Sequence, residues 1–281
     1  MTLPLVKRPR KHRTEGVDIL YEDRDLIVVN KASGVLTIAT HLNEPFTAEN
    51  VLNDYVRKGC ARSNKRVFVV HRLDRETSGI LIFAKSEEAQ TRLKDAWRNN
   101  EKLYLTAVLG HLKEKRGIFA SYLAENEDLF VRSTADPLRG KFSQTVYAVI
   151  KELPLLSLVK IRLLTGRRNQ IRVHFSEHGH PVIGDSRYGG AQPPFHERLC
   201  LHAKSIAFDH PHSGRRLFFD TPIPELFKRL GQGFDEPDWS ATSVPDPEPQ
   251  PDDPPEEGCL PHENKPTPRP AAFPSRPALR R

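Results

Sequence analysis

A chain of 281 residues, 37% of them hydrophobic, is long enough to bury a sizeable core in one large domain or two small ones, as a globular enzyme does. Nothing in it approaches the roughly 18 continuous apolar residues of a membrane span. The basic N-terminus MTLPLVKRPRKHRTEG lacks the apolar segment of a secretory signal, so the expected compartment is the cytoplasm. The charge of +7 is uneven: residues 231–281 hold ten acidic and five basic residues, a net of −5, which leaves +12 on residues 1–230 and suits a polyanion such as nucleic acid.

In chain order, residues 1–18 read as a basic arm carrying Lys7, Arg8, Arg10, Lys11 and Arg13, able to touch phosphates or simply to keep the chain in solution. The body opens with ILYEDRDLIVVNKASG, two short apolar runs around a polar turn at 22–25, which predicts a hairpin leading into a Gly-bearing loop at 31–34. Thr47 is placed to cap a helix over AENVLNDYVRK, whose Val51, Leu52, Tyr55 and Val56 share a face and which Gly59 would stop. VVHRLDRETSGILIFAK at 69–85 then sets charged and small polar residues between two apolar runs. Ser86 predicts a cap for EEAQTRLKDAWRNN, with Ala89, Leu93, Ala96 and Trp97 as the buried stripe and Glu87 and Glu88 at the end the helix dipole favours. Strands follow at 102–110, 144–152 and 156–164. In the last of these Val159, Ile161 and Leu163 alternate with Lys160 and Arg162, so one face is expected to be buried and the other to present cations to solvent or ligand. A second dense stretch, LLTGRRNQIRVHFSEHGHPVIGDSRYGG, reads as a loop at 165–168, a helix over 169–178 stopped by Gly179, and a loop through Gly184, Asp185 and Tyr188. CLHAKSIAF and RLFFD flank the turn HPHSG as strands, and PELFKRL is a short helix. Residues 237–281 hold 13 of the 24 prolines, so an acidic, disordered tail is expected from 233 onward and 19–232 is left as the folded domain. Helices interrupting a mainly strand-built body make the fold class α+β.

Turn chemistry alone would make Asp74 a turn aspartate, since Asp, Thr, Ser and Gly hydrogen-bond local backbone. Against that stands the clustering of Arg72, Asp74, Arg75 and Glu76 beside β-branched runs, because charges next to buried strand ends must be paired or used. The cluster by itself leaves both readings open. His174 and His178 are four apart, as on one face of a zinc-hydrolase helix, but Phe175 stands where HExxH has its glutamate. These histidines and His180 are therefore assigned to packing or to an RNA-facing role, and no metal is expected. Gly110, Gly140 and Gly166 fit neither phosphate-cradling spacing. Cys60, Cys200 and Cys259 are far apart and in no CxxC arrangement, so reduced thiols are expected.

HRLDRETSG at 71–79 resembles the catalytic signature of the RluA family of RNA pseudouridine synthases. KLYLTAVLG at 102–110 is similar to that family's second block, and TGRRNQIRVH at 165–174 with GHPVIGDSRYGG behind it to the third. LHA at 201–203 and HP at 210–211 fall where the family's closing strands have the same letters, and the blocks run in the family's order over 19–230. The resemblance implies a mainly antiparallel mixed sheet with flanking helices, here without a separate N-terminal RNA-binding domain. It also implies an isomerase that needs no cofactor, with large-subunit ribosomal RNA or transfer RNA as partner; a monomer is expected. Asp74 would be the nucleophile or base toward the ribose and Arg172 its paired cation. Tyr104 would stack on uracil and help remove the proton from carbon 5. Arg72 would be the wedge that fills the space of the flipped base, with His71, Arg167 and Gln170 as further RNA contacts. Ala32, Arg168 and Asn169 depart from the family's usual Pro, Thr or Ser, and His, and these departures are expected to bear on substrate choice more than on activity. A non-catalytic RNA-binding or ribosome-assembly protein on the same fold would share the basic body, but would have no reason to keep Asp74, Tyr104 and Arg172 together.

Overall fold

The computed structural model describes residues 14–39, 44, 46–58, 60, 62–190 and 198–231. Most of the basic arm, Gly59 and the proline-rich tail lie outside the described residues. β1 (Val17–Glu22) and β2 (Leu26–Lys31) form the expected hairpin. Asp23 closes its turn, because Oδ1 accepts the N–H groups of Asp25 at 2.8 Å and Leu26 at 2.9 Å. α1 (Ala48–Arg57) starts at Thr47, whose Oγ1 accepts the Asn50 N–H at 3.1 Å, and ends with Lys58 in the left-handed conformation. After β3 (Phe68–Val69) and β4 (Ser78–Ala84), α2 (Glu87–Asp95) is capped by Ser86 in the same way. It stops short of the expected Asn100. Trp97–Asn99 tightens into a 3₁₀ turn, and the buried Trp97 ring packs 4.5 Å from the ring of His71.

β5 (Glu101–Leu109), β8 (Lys141–Leu153) and β9 (Leu156–Leu163) match the expected strands to within a few residues. β6 (Arg116–Glu125) and β7 (Val131–Thr134) carry no clear period in sequence; along β6 the buried side chains are Phe119 and Leu123, four apart. Pairing with β8 on one side and β7 on the other makes β6 a strand. One expectation needs correction: Lys160 is buried, because β9 lies between β5 and β8 with protein over both faces. α3 (Gln170–Glu177), β10 (Leu201–Asp209), β11 (Arg216–Asp220) and α4 (Glu225–Gly231) complete the body.

The strands form one sheet in the order β1-β2-β4-β10-β5-β9-β8-β6-β7, with β3 beside β4 and β11 beside β10. Among the described strand pairs only β4 and β10 run parallel, with Ser78 opposite His202 and Gly79 opposite Ala203. Gly79 has φ +114°, and a Cβ there would stand 2.2 Å from the Ala203 carbonyl oxygen, so this close approach requires glycine. Ser78 Oγ lies 2.9 Å from His202 Nδ1, which bolts the same crossing. One core packs β5 and β9 against α3 and α4, and another packs β2 and β4 against α1. Tyr104 on β5 touches both, and the candidate site lies at that junction.

Candidate active site

The turn before β4 carries Asp74. The Thr77 N–H donates to the Asp74 carbonyl at 3.1 Å, so the backbone is the turn that Asp, Thr and Ser favour. Its bed is built from the 31–37 loop. The Thr37 hydroxyl donates to the Leu73 carbonyl at 3.0 Å and accepts the Leu73 N–H at 3.1 Å, while Gly34 N–H donates to the Arg75 carbonyl at 2.9 Å. Lys31 is fully buried beneath and donates to the carbonyls of Ala32 at 3.0 Å, Val35 at 2.7 Å and Arg75 at 3.1 Å. Burial draws its pKa down to about 7, against the pull of Asp74 and Glu76, and three carbonyl acceptors favour the ammonium with its three hydrogens.

The Asp74 side chain leaves the turn. Arg172, early in α3, donates from Nη1 to Asp74 Oδ2 at 3.0 Å, and its Nε and Nη2 donate to Asp185 Oδ2 at 2.7 Å and Oδ1 at 2.8 Å. Asp185 also accepts the N–H groups of Arg187 and Tyr188, both at 2.9 Å. Burial opposes ionisation of Asp185, but the bonds from Arg172 and the backbone outweigh it and hold the carboxyl below the usual range. Burial likewise opposes the charge on Arg172, and Asp185 with Asp74 more than restores it. The side chains of Arg172 and Asp185 are 12% and 0% exposed while that of Asp74 is 29% exposed, so the chain of charges runs from a sealed end to an open one. Tyr104 is half-buried; burial first, then the Asp74 charge, pushes its hydroxyl well above the ordinary phenol range, which keeps it neutral.

The other expected site residues divide. Arg72 is exposed and has no hydrogen-bond or ion-pair partner among the described residues. Arg167 is half-buried and donates from Nε to the Phe142 carbonyl at 3.3 Å. His71 and Gln170, expected as RNA contacts, are turned inward. His71 Nε2 accepts the Ile82 N–H at 3.1 Å, and burial with the nearby Lys102 charge takes its pKa to about 3, so it is a neutral structural ring. Gln170 is 2% exposed, accepts from Thr165 Oγ1 and Arg167 N–H, and donates to Gln144 O and Thr145 Oγ1. No amide hydrogen is left for a substrate.

The histidines of the second dense stretch are packed. His174 has Thr145 Oγ1 and Ser121 Oγ on its two ring nitrogens, His178 stacks on Phe119 at 3.8 Å, and His180 Nδ1 lies 3.0 Å from the Leu109 carbonyl. A different trio, Asp23, Asp25 and His210, converges closely enough to ask about a cation. His210 Nδ1 accepts the N–H groups of His212 and Ser213, each at 3.1 Å, so the ring proton sits on Nε2 and points at Asp23 Oδ2, 2.9 Å away. That proton occupies the position a metal would need, and the trio ties the β1–β2 turn to the β10–β11 turn.

Asp185 and Lys31 were not singled out as site residues by sequence reasoning. Their signal exists only in hindsight: an aspartate or lysine is almost never fully buried unless paired, and burial is not visible before folding.

An arginine clamped between two aspartates, one of them open to solvent, on a basic α+β body suits an enzyme that works on a polyanion. The RNA pseudouridylate synthase family model matches residues 25–177, and the chain belongs to that family. It is 35% identical to the dual-specificity RNA pseudouridine synthase RluA of Haemophilus influenzae over 209 residues, 73% of this chain and 92% of that one. It is 33% identical to the ribosomal large subunit pseudouridine synthase D of Nitrosomonas europaea over 248 residues, 84% of this chain and 71% of that one. The solved structure of human RNA pseudouridylate synthase domain containing 1 superposes with a TM-score of 0.60 at 25% identity, covering 82% of this chain and all of that one. The chain is an RNA pseudouridine synthase of the RluA type, an isomerase acting on RNA. No helix among the described residues is long and apolar enough to cross a membrane.

Proposed function

We propose that Asp74 attacks or deprotonates the ribose of a uridine flipped out of structured RNA, with Arg172 as its counter-ion, Tyr104 as the uracil platform and proton relay, and Arg72 as the wedge. The observation that carries this reading is the half-open ion-pair chain: Arg172 spends two donors on sealed Asp185 and one on Asp74 Oδ2, while Asp74 stays partly exposed. A carboxylate so held is paired and aimed while one oxygen stays open to substrate. In the reaction the bond from ribose carbon 1′ to uracil nitrogen 1 breaks, the base turns, and carbon 5 bonds to carbon 1′. The proton lost from carbon 5 is matched by one gained on nitrogen 1, so no water or oxidant is consumed. Because Tyr104 is a neutral phenol, its oxygen takes the carbon 5 proton only as its own proton moves on.

Arg72 lies two residues before Asp74 with no partner among the described residues, which supports a guanidinium that stacks in the gap left by the departed base. The names of the bacterial relatives support large-subunit ribosomal RNA as the target, with transfer RNA as a further substrate of the dual-specificity kind. A ribosomal RNA target supports a cytoplasmic enzyme, and Asp74, Tyr104 and Arg172 on one chain support a monomer. The test is a map of pseudouridines in total RNA from cells with the gene, without it, and with Asp74→Asn. The same sites should be lost in the last two. A site in ribosomal RNA restored by Asp74→Asn would refute the role of Asp74, and an unchanged ribosomal map with loss confined to transfer RNA would refute the target.

A further inference from the structure

Asn169, one of the departures from the family pattern, stands at the N-cap of α3 and does not cap it. Its φ of 53° and ψ of 14° are left-handed, not the extended conformation from which a cap side chain reaches the first turn, and it makes no side-chain cap bond. Asparagine tolerates that conformation better than almost any residue but glycine. The side chain, 8% exposed, goes the other way: Nδ2 donates to Tyr188 Oη at 3.2 Å, and Oδ1 accepts from Arg172 Nη1 at 3.2 Å. Tyr188 is itself fixed. Its hydroxyl accepts the Val131 N–H at 3.1 Å, its own N–H donates to Asp185, and its ring centroid lies 5.1 Å from the Arg172 guanidinium carbon.

The arginine's hydrogens explain why this matters. Guanidinium offers five N–H groups, and here Nε and one on Nη2 go to Asp185. The two on Nη1 are divided, one to Asp74 Oδ2 and one to Asn169 Oδ1. Asp74 Oδ1 has no hydrogen-bond partner among the described residues. Asp185 fixes one edge of the guanidinium and Asn169 Oδ1 fixes the turn of Nη1, so the remaining Nη1 hydrogen is directed at Asp74 Oδ2.

We infer that Asn169 is a positioning residue: anchored on Tyr188 and taking the second Nη1 hydrogen of Arg172, it holds the guanidinium so that the other Nη1 hydrogen meets Asp74 at Oδ2 and leaves Oδ1 to the ribose. The inference rests on the reading of Asp74 and Arg172 given above, and it moves Asn169 from substrate choice to the chemistry. Neither its position at a helix start nor its tolerance of positive φ requires these two bonds.

The test uses the full chain and total RNA from cells lacking the gene, labelled with tritium at carbon 5 of uridine, so that tritium release reports turnover at whichever site is used. Asn169→Gly accepts the left-handed backbone without strain and deletes only the side chain. Its maximal single-turnover rate should fall about tenfold, the scale of a lost hydrogen bond to a charged group, with the enzyme concentration at half-saturation unchanged. Asn169→Ala should be as slow and should also melt lower, since alanine is strained there. Asn169→Asp, which retains the acceptor for Nη1, should recover most of the rate. Against an Arg172→Lys background, Asn169→Gly should add little further loss, because the two residues act as a unit. A Gly variant at wild-type rate would show that only the backbone matters and overturn the inference, as would a loss that adds fully to that of Arg172→Lys. A wild-type rate in Arg172→Lys itself would instead overturn the reading of Arg172 on which the inference stands.

Discussion

Asp185→Asn isolates the sealed end of the ion-pair chain. The substitution keeps shape and one acceptor oxygen, but turns an NH₂ group toward a guanidinium that can only donate, so at least one of the bonds at 2.7 and 2.8 Å is lost. Breaking a buried pair by removing one charge costs about 3–5 kcal/mol. Here Asp74 remains as a partner and the amide oxygen retains one bond, so about 2–3 kcal/mol is expected, or a melting temperature lower by about 5–10 °C for a body of this size. The functional loss should be larger than the stability loss suggests. An Arg172 released from Asp185 is free to close on Asp74 with two prongs, and a displacement of about an ångström at a reacting carboxylate costs about a hundredfold in rate. RNA affinity should stay within about threefold, since neither aspartate carries the phosphate contacts that dominate binding. Urea melts and single-turnover rates well below the melting range measure the two effects separately. A variant that melts lower yet turns over normally would show that Asp185 serves only the fold, and an unchanged melt would refute the buried-pair account altogether.

Tyr104→Phe retains the ring and removes the hydroxyl, so bond breaking at the ribose should survive while tritium release from carbon 5 falls sharply; release at the normal rate would exclude the hydroxyl as relay. Arg72→Ala should slow turnover more on a stacked uridine than on one loosened by a neighbouring mismatch, and Arg72→Lys should rescue poorly; equal losses on both substrates would replace the wedge with simple charge. Stability should fall as pH drops below 6.5. Burial, joined by nearby charge, takes His174 to about 4 and His202 to about 3, so between those values and 6.5 the unfolded chain binds the extra protons. Each contribution is intact above 6.5 and by pH 5 each has lost about 2 kcal/mol. Thermal melts at pH 7.5 and 5 check this, and a flat or rising melting temperature toward pH 5 would contradict it.

Sequence alone determined what depends on residues a few positions apart. Thr47 and Ser86 cap the helices they were expected to cap, and the 22–25 turn makes the first hairpin. The family blocks also carried Asp74, Tyr104 and Arg172 as candidates, although Asp74 and Arg172 lie 98 residues apart. Tertiary structure decided which polar groups face outward. His71 and Gln170 share the signature blocks with the site, yet Gln170 uses both amide hydrogens inside the protein and His71 Nε2 accepts the Ile82 N–H. Asp185 and Lys31 look like loop residues and Asn169 like a helix start until the strands close over them, and β6 and β7 become strands only through pairing with neighbours. Periodicity and capping report free energies of local backbone, which the sequence writes within one or two turns. The direction and partner of a buried charge come from desolvation, which exists only once distant segments have excluded water around it.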